Sequence, residues 1–220
     1  MAVPLNAHLT VVGAINIILR SIGEQPVTTV GNGPSAALEA ERILIDTSRE
    51  VQLDGWNCNT RLGIELTRNS DNQFALAVNV LKVDAANPRV RRRVNVPGYT
   101  GHFNVSQRRN ADDTRYLLYD DDNDTELWPN DTTLTVDIVE FLPLTELEPA
   151  LQLYIVKKAG RTFQQSDMAS RVLFEFTQQQ VQDAQTLAMQ ADEEARDQNM
   201  FRDNPSSYAI TYRYNPYFGR

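Results

Sequence analysis

The chain has 220 residues, of which 41% are hydrophobic and 23% are charged, and its formal net charge is −8. This composition supports a buried core and excludes wholesale disorder, while the net negative charge argues against a protein that grips phosphates over most of its surface. The single cysteine, Cys58, excludes an internal disulfide and a multi-cysteine zinc site.

Two helices are predicted near the start of the chain. Apolar residues recur at helical spacing from Val11 to Ile22, and Gly23 follows at the position that a C′ glycine takes. A second helix is predicted from an N-cap at about Ser35 to Asp54. Its expected buried face consists of small and apolar residues, namely Ala37, Ala40, Leu44, Thr47 and Val51.

The pattern changes to short strands between Trp56 and about Pro143. Apolar residues there alternate with polar ones, and turn-rich segments separate the runs, which predicts a small antiparallel β domain. The predicted strands contain Leu62, Ile64 and Leu66; Phe74, Leu76, Val78 and Val80; Tyr116 to Tyr119; and Leu134, Val136, Ile138, Val139 and Phe141.

Two more helices are predicted after the strands. The first has an apolar residue at every fourth position, and the second runs from about Asp167 to Met200, over roughly 50 Å if it is continuous. Because the C-terminal half of this last helix has few large apolar residues, we expect it to project and to pack against copies of itself. The two apolar faces are Leu147, Leu151, Ile155, Ala159 and Phe163, and then Val172, Phe176, Ala184, Leu187, Ala191 and Ala195.

The predicted fold class is therefore α+β. A discontinuous α-helical bundle, with two N-terminal and two C-terminal helices, is expected over residues 1–56 and 144–200. An antiparallel β domain is inserted at residues 57–143, and an extended C-terminal arm covers residues 201–220.

The C-terminal arm is unusually aromatic. It alternates aromatic or apolar with polar residues, as a strand with one apolar face does, and it carries three arginines against one aspartate. Such a segment needs a surface to cover, which is either a sheet edge or groove of a partner or its own domain. The residues assigned to this contact are Tyr208, Ile210, Tyr212, Arg213, Tyr214, Tyr217 and Phe218.

A dense basic cluster lies within the predicted β domain, at Arg89, Arg91, Arg92 and Arg93. Three interpretations are consistent with this cluster. Its positive charge suits contact with a partner protein or with nucleic acid, and the valines that interleave with the arginines also fit a strand with one solvated, charged face.

Catalytic and metal-binding motifs are not recognisable in the sequence. The two histidines, His8 and His102, are in separate loops without a triad or zinc-site spacing, and no phosphate-binding glycine loop occurs. Asp120, Asp122 and Asp124 match the first positions of a calcium loop, but the later positions do not, so a solvated hairpin turn is expected. No metal and no cofactor is therefore assigned.

Several segments of the chain resemble the tail tubular protein A family in sequence and in order. The similarity covers about half the chain and omits residues from about 67 to 115. The segments are residues 14–27, 40–44, 50–57, 135–139, 146–150 and 154–163, which include Ser21-Ile22-Gly23-Glu24-Gln25-Pro26 and Leu53-Asp54-Gly55-Trp56-Asn57.

This resemblance implies a head-to-tail adaptor of a short-tailed phage, a virion structural protein without enzymatic activity. It implies a dodecameric ring between the portal protein and the nozzle protein, assembled in the host cytoplasm, through which double-stranded DNA passes without specific binding. The portal becomes the expected partner of the arm, and no membrane insertion is expected. A virion-associated hydrolase of host surface polysaccharide is the alternative hypothesis, and a DNA-binding tail factor that uses the arginine cluster is a third.

Overall fold

The computed structural model describes residues 8–31, 34–85, 104–110, 116–129, 134–167 and 171–195, and the fold class is α+β as predicted. The described part contains four α-helices, none of which is long and apolar enough to cross a membrane. In chain order the helices are α1 (Val11–Arg20), α2 (Ser35–Gln52), α3 (Pro149–Asp167) and α4 (Arg171–Ala195).

Capping groups set both ends of α1. The hydroxyl of Thr10 accepts a hydrogen bond from the Gly13 N–H at 3.1 Å, which satisfies one of the free donors of the first turn. At the other end Gly23 has a φ of +83°, and the N–H of Glu24 donates to the Leu19 carbonyl at 3.0 Å. This is a Schellman motif with glycine at C′, as the sequence predicts.

Helix α2 begins one residue earlier than predicted. Pro34 is its N-cap residue and Ser35 is already helical, so the prediction of Ser35 as N-cap is wrong. Proline has no side-chain acceptor, and its carbonyl accepts from the Ala37 N–H at 2.9 Å and from the Leu38 N–H at 3.2 Å. The predicted buried face is confirmed in full, from Ala37 to Val51.

Helix α3 lies at the centre of the helical part and packs against α1, α2 and α4. The predicted apolar face of α3 is confirmed, and Ile155 and Ala159 are completely buried. Helix α4 packs with small side chains, chiefly Ala184 and Ala188, which allow a close approach to α3.

Six strands form two antiparallel three-stranded sheets in the described part. One sheet has the order β1-β6-β3 and the other β2-β5-β4. The strands are β1 (Thr60–Leu66), β2 (Ala75–Leu76), β3 (Val80–Ala85), β4 (Val105–Arg109), β5 (Tyr116–Asp120) and β6 (Leu134–Glu140).

Two of the predicted alternations are interrupted. The register of β1 against β6 shifts at Gly63, whose φ is +63°, and Leu62 is left 62% exposed. Val78 is 82% exposed in a turn between β2 and β3, so the run from Phe74 to Val80 is not one strand.

The strands enclose a hydrophobic cluster of their own. Phe74 and Trp128 meet edge to face with their ring centroids 5.6 Å apart, and Leu118, Leu134 and Val136 are fully buried around them. The helices share a second cluster, which runs from Ala14 to Ala188.

A buried glutamine joins the last turn of α2 to the chain just after β6. The Gln52 amide accepts from the Leu142 N–H at 2.8 Å and donates to the Leu142 carbonyl at 3.0 Å and to the Ser48 hydroxyl at 2.9 Å. Gln52 is completely buried, so these bonds form where water does not compete.

We predict that Gln52→Leu lowers the free energy of unfolding by about 1–3 kcal/mol for each backbone group of Leu142 left buried and unpaired. Urea unfolding measures this loss. The control is Gln182→Leu on the exposed side of α4, which we expect to stay within about 0.5 kcal/mol of wild type. Equal effects of the two substitutions would contradict the assignment.

Candidate functional site

The residues to which the sequence assigns partner contacts lie outside the part of the chain that the structure describes. Their roles stay predictions. They are Tyr208, Ile210, Tyr212, Arg213, Tyr214, Tyr217 and Phe218 in the arm, and the cluster of Arg89, Arg91, Arg92 and Arg93. Among the described residues, exposed faces of two helices form the candidate site.

One exposed face belongs to α2. Leu38, Arg42, Ile45 and Arg49 follow one another at spacings of four, three and four residues, which places them in one row along the helix. Leu38 is 43% exposed and Ile45 is 44% exposed, whereas the residues on the core side of the same helix are buried. We call this row the α2 stripe. It offers apolar contact area between two cationic side chains.

Local contacts hold one of the arginines of the α2 stripe. The Arg49 guanidinium donates to the Asp46 carboxylate at 3.2 Å and lies 5.7 Å from the centroid of the Phe141 ring. The ion pair is exposed and contributes little to stability. These contacts restrict the position of the guanidinium on the α2 stripe.

The second exposed face belongs to α4. Asp183, Leu187, Gln190 and Glu194 have the same four, three and four spacing and are all exposed, and we call this row the α4 outer face. Leu187 is 48% exposed, so its prediction as a packing residue is wrong. Neither Lys nor Arg occurs from residue 178 to residue 195, and the charge of this face is therefore negative.

Helices α2 and α4, which carry the two faces, pack on different sides of α3. Lys158 of α3 donates to Glu50 of α2 at 3.1 Å, whereas its neighbour Lys157 donates to Gln180 of α4 at 3.4 Å. The molecule thus presents on one flank an apolar row with two arginines, beside the exposed carboxylates of Glu39, Asp46 and Glu50, and on another an apolar and acidic row.

The acidic turn after β5 uses its carboxylates internally. Asp120 is buried and accepts hydrogen bonds from the N–H groups of Asp122 and Asn123 and from the Asn123 side-chain amide, at 2.9–3.1 Å. Asp122 accepts from the N–H and the amide of Asn104. Over the described residues, no group of three His, Cys, Asp or Glu side chains is arranged to hold a metal ion.

A basic and aromatic surface lies next to this turn. The Arg108 guanidinium is 3.5 Å from the centroid of the Tyr119 ring and 3.2 Å from the Asp121 carboxylate. The Tyr119 hydroxyl donates to Asp124 at 2.7 Å, and this hydrogen bond raises the pKa of the phenol. Arginine is thus anchored on the β4–β5 surface by ring stacking and charge together.

The remaining reactive side chains in the description have structural surroundings. Cys58 is half-buried, and burial raises the pKa of its thiol. Nδ1 of His8 lies 3.2 Å from the Leu147 carbonyl, where it ties the start of the chain to the approach to α3. His102 lies in a range that the structure leaves undescribed.

Comparison with known families gives a match over most of the chain. A family model described as tail tubular protein matches residues 12–198, which include all of the described strands and helices except Val11. A search of curated proteins gives no match.

We predict that Asp120→Ala destabilises the protein by about 1–3 kcal/mol, because the turn loses a buried hydrogen-bond acceptor. We also predict that calcium at about 10 mM, roughly ten times the dissociation constant of the weakest protein calcium sites, leaves the melting temperature of the wild type unchanged. Calorimetric scans with calcium and with magnesium as the control measure both effects. A rise in melting temperature that is specific to calcium and lost in Asp120→Ala would contradict this account.

Proposed function

Because the chain belongs to the tail tubular protein family and is therefore a structural protein of the phage tail, we propose that it is the head-to-tail adaptor of the virion. In this proposal a dodecameric ring of the protein lies between the portal protein and the nozzle protein. The DNA leaves the capsid through the lumen of the ring. The protein acts as a structural joint and has no enzymatic activity.

The observation that carries this proposal is the pair of unlike exposed faces on the helical part. The α2 stripe of one copy meets the α4 outer face of the next, so that Ile45 packs near Leu187 and the arginines face Asp183 and Glu194. A contact between two different faces repeats around a ring until it closes. Rim charges of opposite sign then set the orientation of each neighbour.

The charge of the protein supports a role as a conduit. Its net charge of −8 disfavours binding of the DNA phosphates, and tight phosphate binding would slow the passage of the genome. Double-stranded DNA therefore passes without specific binding.

We further propose the domain division that the sequence predicts. Residues 1–56 and 144–200 form the helical bundle of the ring wall, and residues 57–143 form an inserted β domain that faces outward or toward the nozzle. The existence of two hydrophobic clusters, one among the helices and one among the strands, supports this division. The C-terminal arm of residues 201–220 binds the portal, with Arg89, Arg91, Arg92 and Arg93 as a further partner contact.

We predict that Ile45→Asp weakens ring assembly at least about tenfold, because it places a carboxylate in the centre of an apolar and acidic contact. Light scattering and negative-stain microscopy of the protein with purified portal measure assembly. Val78→Asp is the matched control, since Val78 is also exposed but lies outside both faces, and it should assemble as the wild type does. Equal assembly of the two variants would refute the proposed interface.

Removal of Tyr208 to Arg220 is predicted to abolish portal binding and to leave the free protein folded. A chain in which these residues are replaced by a Gly/Ser segment of equal length separates side-chain contacts from reach. Co-sedimentation with portal particles measures binding. A truncated chain that still joins the portal would show that the arm is not the anchor.

A further inference from the structure

An open cleft with a volume of about 340 Å³ lies between the end of α2 and the C-terminal half of α4. The α2 side contributes Asp54, Gly55 and Trp56. The α4 side contributes Gln185, Met189, Asp192 and Glu193. This side of α4 is not the α4 outer face, so the cleft and the proposed ring contact use different residues.

The wall of the cleft is well fixed. The Trp56 indole N–H donates to the Val51 carbonyl at 2.8 Å, and the indole packs against Tyr154 with ring centroids 6.2 Å apart. Across the cleft, Asp192 accepts a hydrogen bond from the Asn57 N–H at 2.5 Å, which joins α4 to the turn after α2. A ligand therefore meets a preformed surface.

The lining combines apolar area with negative charge. Met189 is 51% exposed and lines the cleft together with Trp56, and Asp54 and Glu193 are exposed carboxylates in the same lining. Such a lining suits a segment with one arginine between aromatic side chains. The arm contains this arrangement once, at Tyr212-Arg213-Tyr214.

We propose that the cleft binds the C-terminal arm of the same chain while the protein is free, with Arg213 between the carboxylates and an adjacent tyrosine on Met189 and Trp56. Charge supports this occupant, because the arm carries three arginines against one aspartate in an otherwise acidic protein. The proposal concerns the free chain and holds whether or not the arm later binds the portal.

The connection is long enough for the arm to return to its own cleft. Met189 lies six residues before Ala195, which is about 9 Å along the helix axis. Arg213 follows Ala195 by eighteen residues, a length that spans up to about 60 Å when extended. A tether of this length gives an effective concentration in the millimolar range, which favours the chain's own arm over that of a second copy.

Disulfide trapping in the full-length chain tests this proposal. In a Cys58→Ser background, Ile210→Cys is combined with Met189→Cys, because residues 210 and 212 share one side of a segment when it is extended and the proposal places a tyrosine on Met189. The matched control combines Ile210→Cys with Leu187→Cys, since Leu187 is 48% exposed on the same helix but lies outside the cleft. In a glutathione buffer, we expect the intrachain disulfide to form roughly tenfold faster with position 189 than with position 187.

Reversal of one charge in the lining distinguishes docking of the arm in the cleft from its chance collision with α4. Glu193→Arg should remove the preference for position 189, whereas Glu194→Arg, one residue further and outside the lining, should keep it. Equal trapping rates at 187 and 189 would overturn the proposal. It would also be overturned by unchanged trapping in Glu193→Arg, or by disulfides that form mainly between chains in dilute protein.

Discussion

Two buried amide side chains fix how the helices of this protein meet its strands, and the arrangement of every exposed face depends on them. Gln52 pairs with both backbone groups of Leu142, and Asn59 donates to the carbonyls of Gln52 and Glu140 at 3.0 Å. Asn59 also accepts from the Trp56 N–H at 2.8 Å. The chain leaves α2 and returns after β6 at this one junction. Because an amide presents a donor and an acceptor together, it satisfies a pair of backbone groups that no apolar side chain can.

This junction links the fold to the proposed assembly. It fixes the end of α2, and thereby the direction in which the α2 stripe points and the position of Trp56 beneath the cleft. Asp192 closes the same region from α4 through its bond to Asn57. Because Gln52 and Asn59 are buried, each of their hydrogen bonds that is left unmade costs free energy. The junction therefore specifies one relative position of the helices and the strands. A ring contact between unlike faces requires such a fixed relation, since an error in angle repeated around the ring prevents closure.

The helices were predictable because their cores have a simple period. An apolar residue occurs at every fourth position from Leu147 to Phe163, and a glycine follows α1. Both signals depend only on residues close in sequence. The strands were predictable only in part. At Gly63 a positive φ and a bond from its N–H to the Asp137 carboxylate, at 2.6 Å, shift the register. Asp137 is 74 residues away, so no local pattern reveals it.

The candidate site was harder to predict than the core. A pattern of one buried face per helix predicts the core positions from Ala37 to Val51 but does not reveal Leu38 and Ile45 on the other side of α2. The same pattern places Leu187 in the core, because apolar residues on a helix are usually buried there, yet the neighbouring alanines already fill the contact with α3. Single exposed apolar residues are common on protein surfaces, so Leu187 alone does not predict a partner surface. The portal as the partner of the arm depends on family resemblance, whereas the contact role of the arginine cluster depends on its composition alone, and both stay predictions.

In the proposed ring, unlike faces of successive copies meet. Electron cryomicroscopy of the full-length protein assembled on its portal shows which faces are in contact. We expect Ile45 of each copy to lie within about 4.5 Å of Leu187 of the next, with Arg42 and Arg49 facing acidic residues of α4. A ring in which the α2 stripe faces solvent, or in which α2 pairs with α2 across a twofold axis, would contradict it.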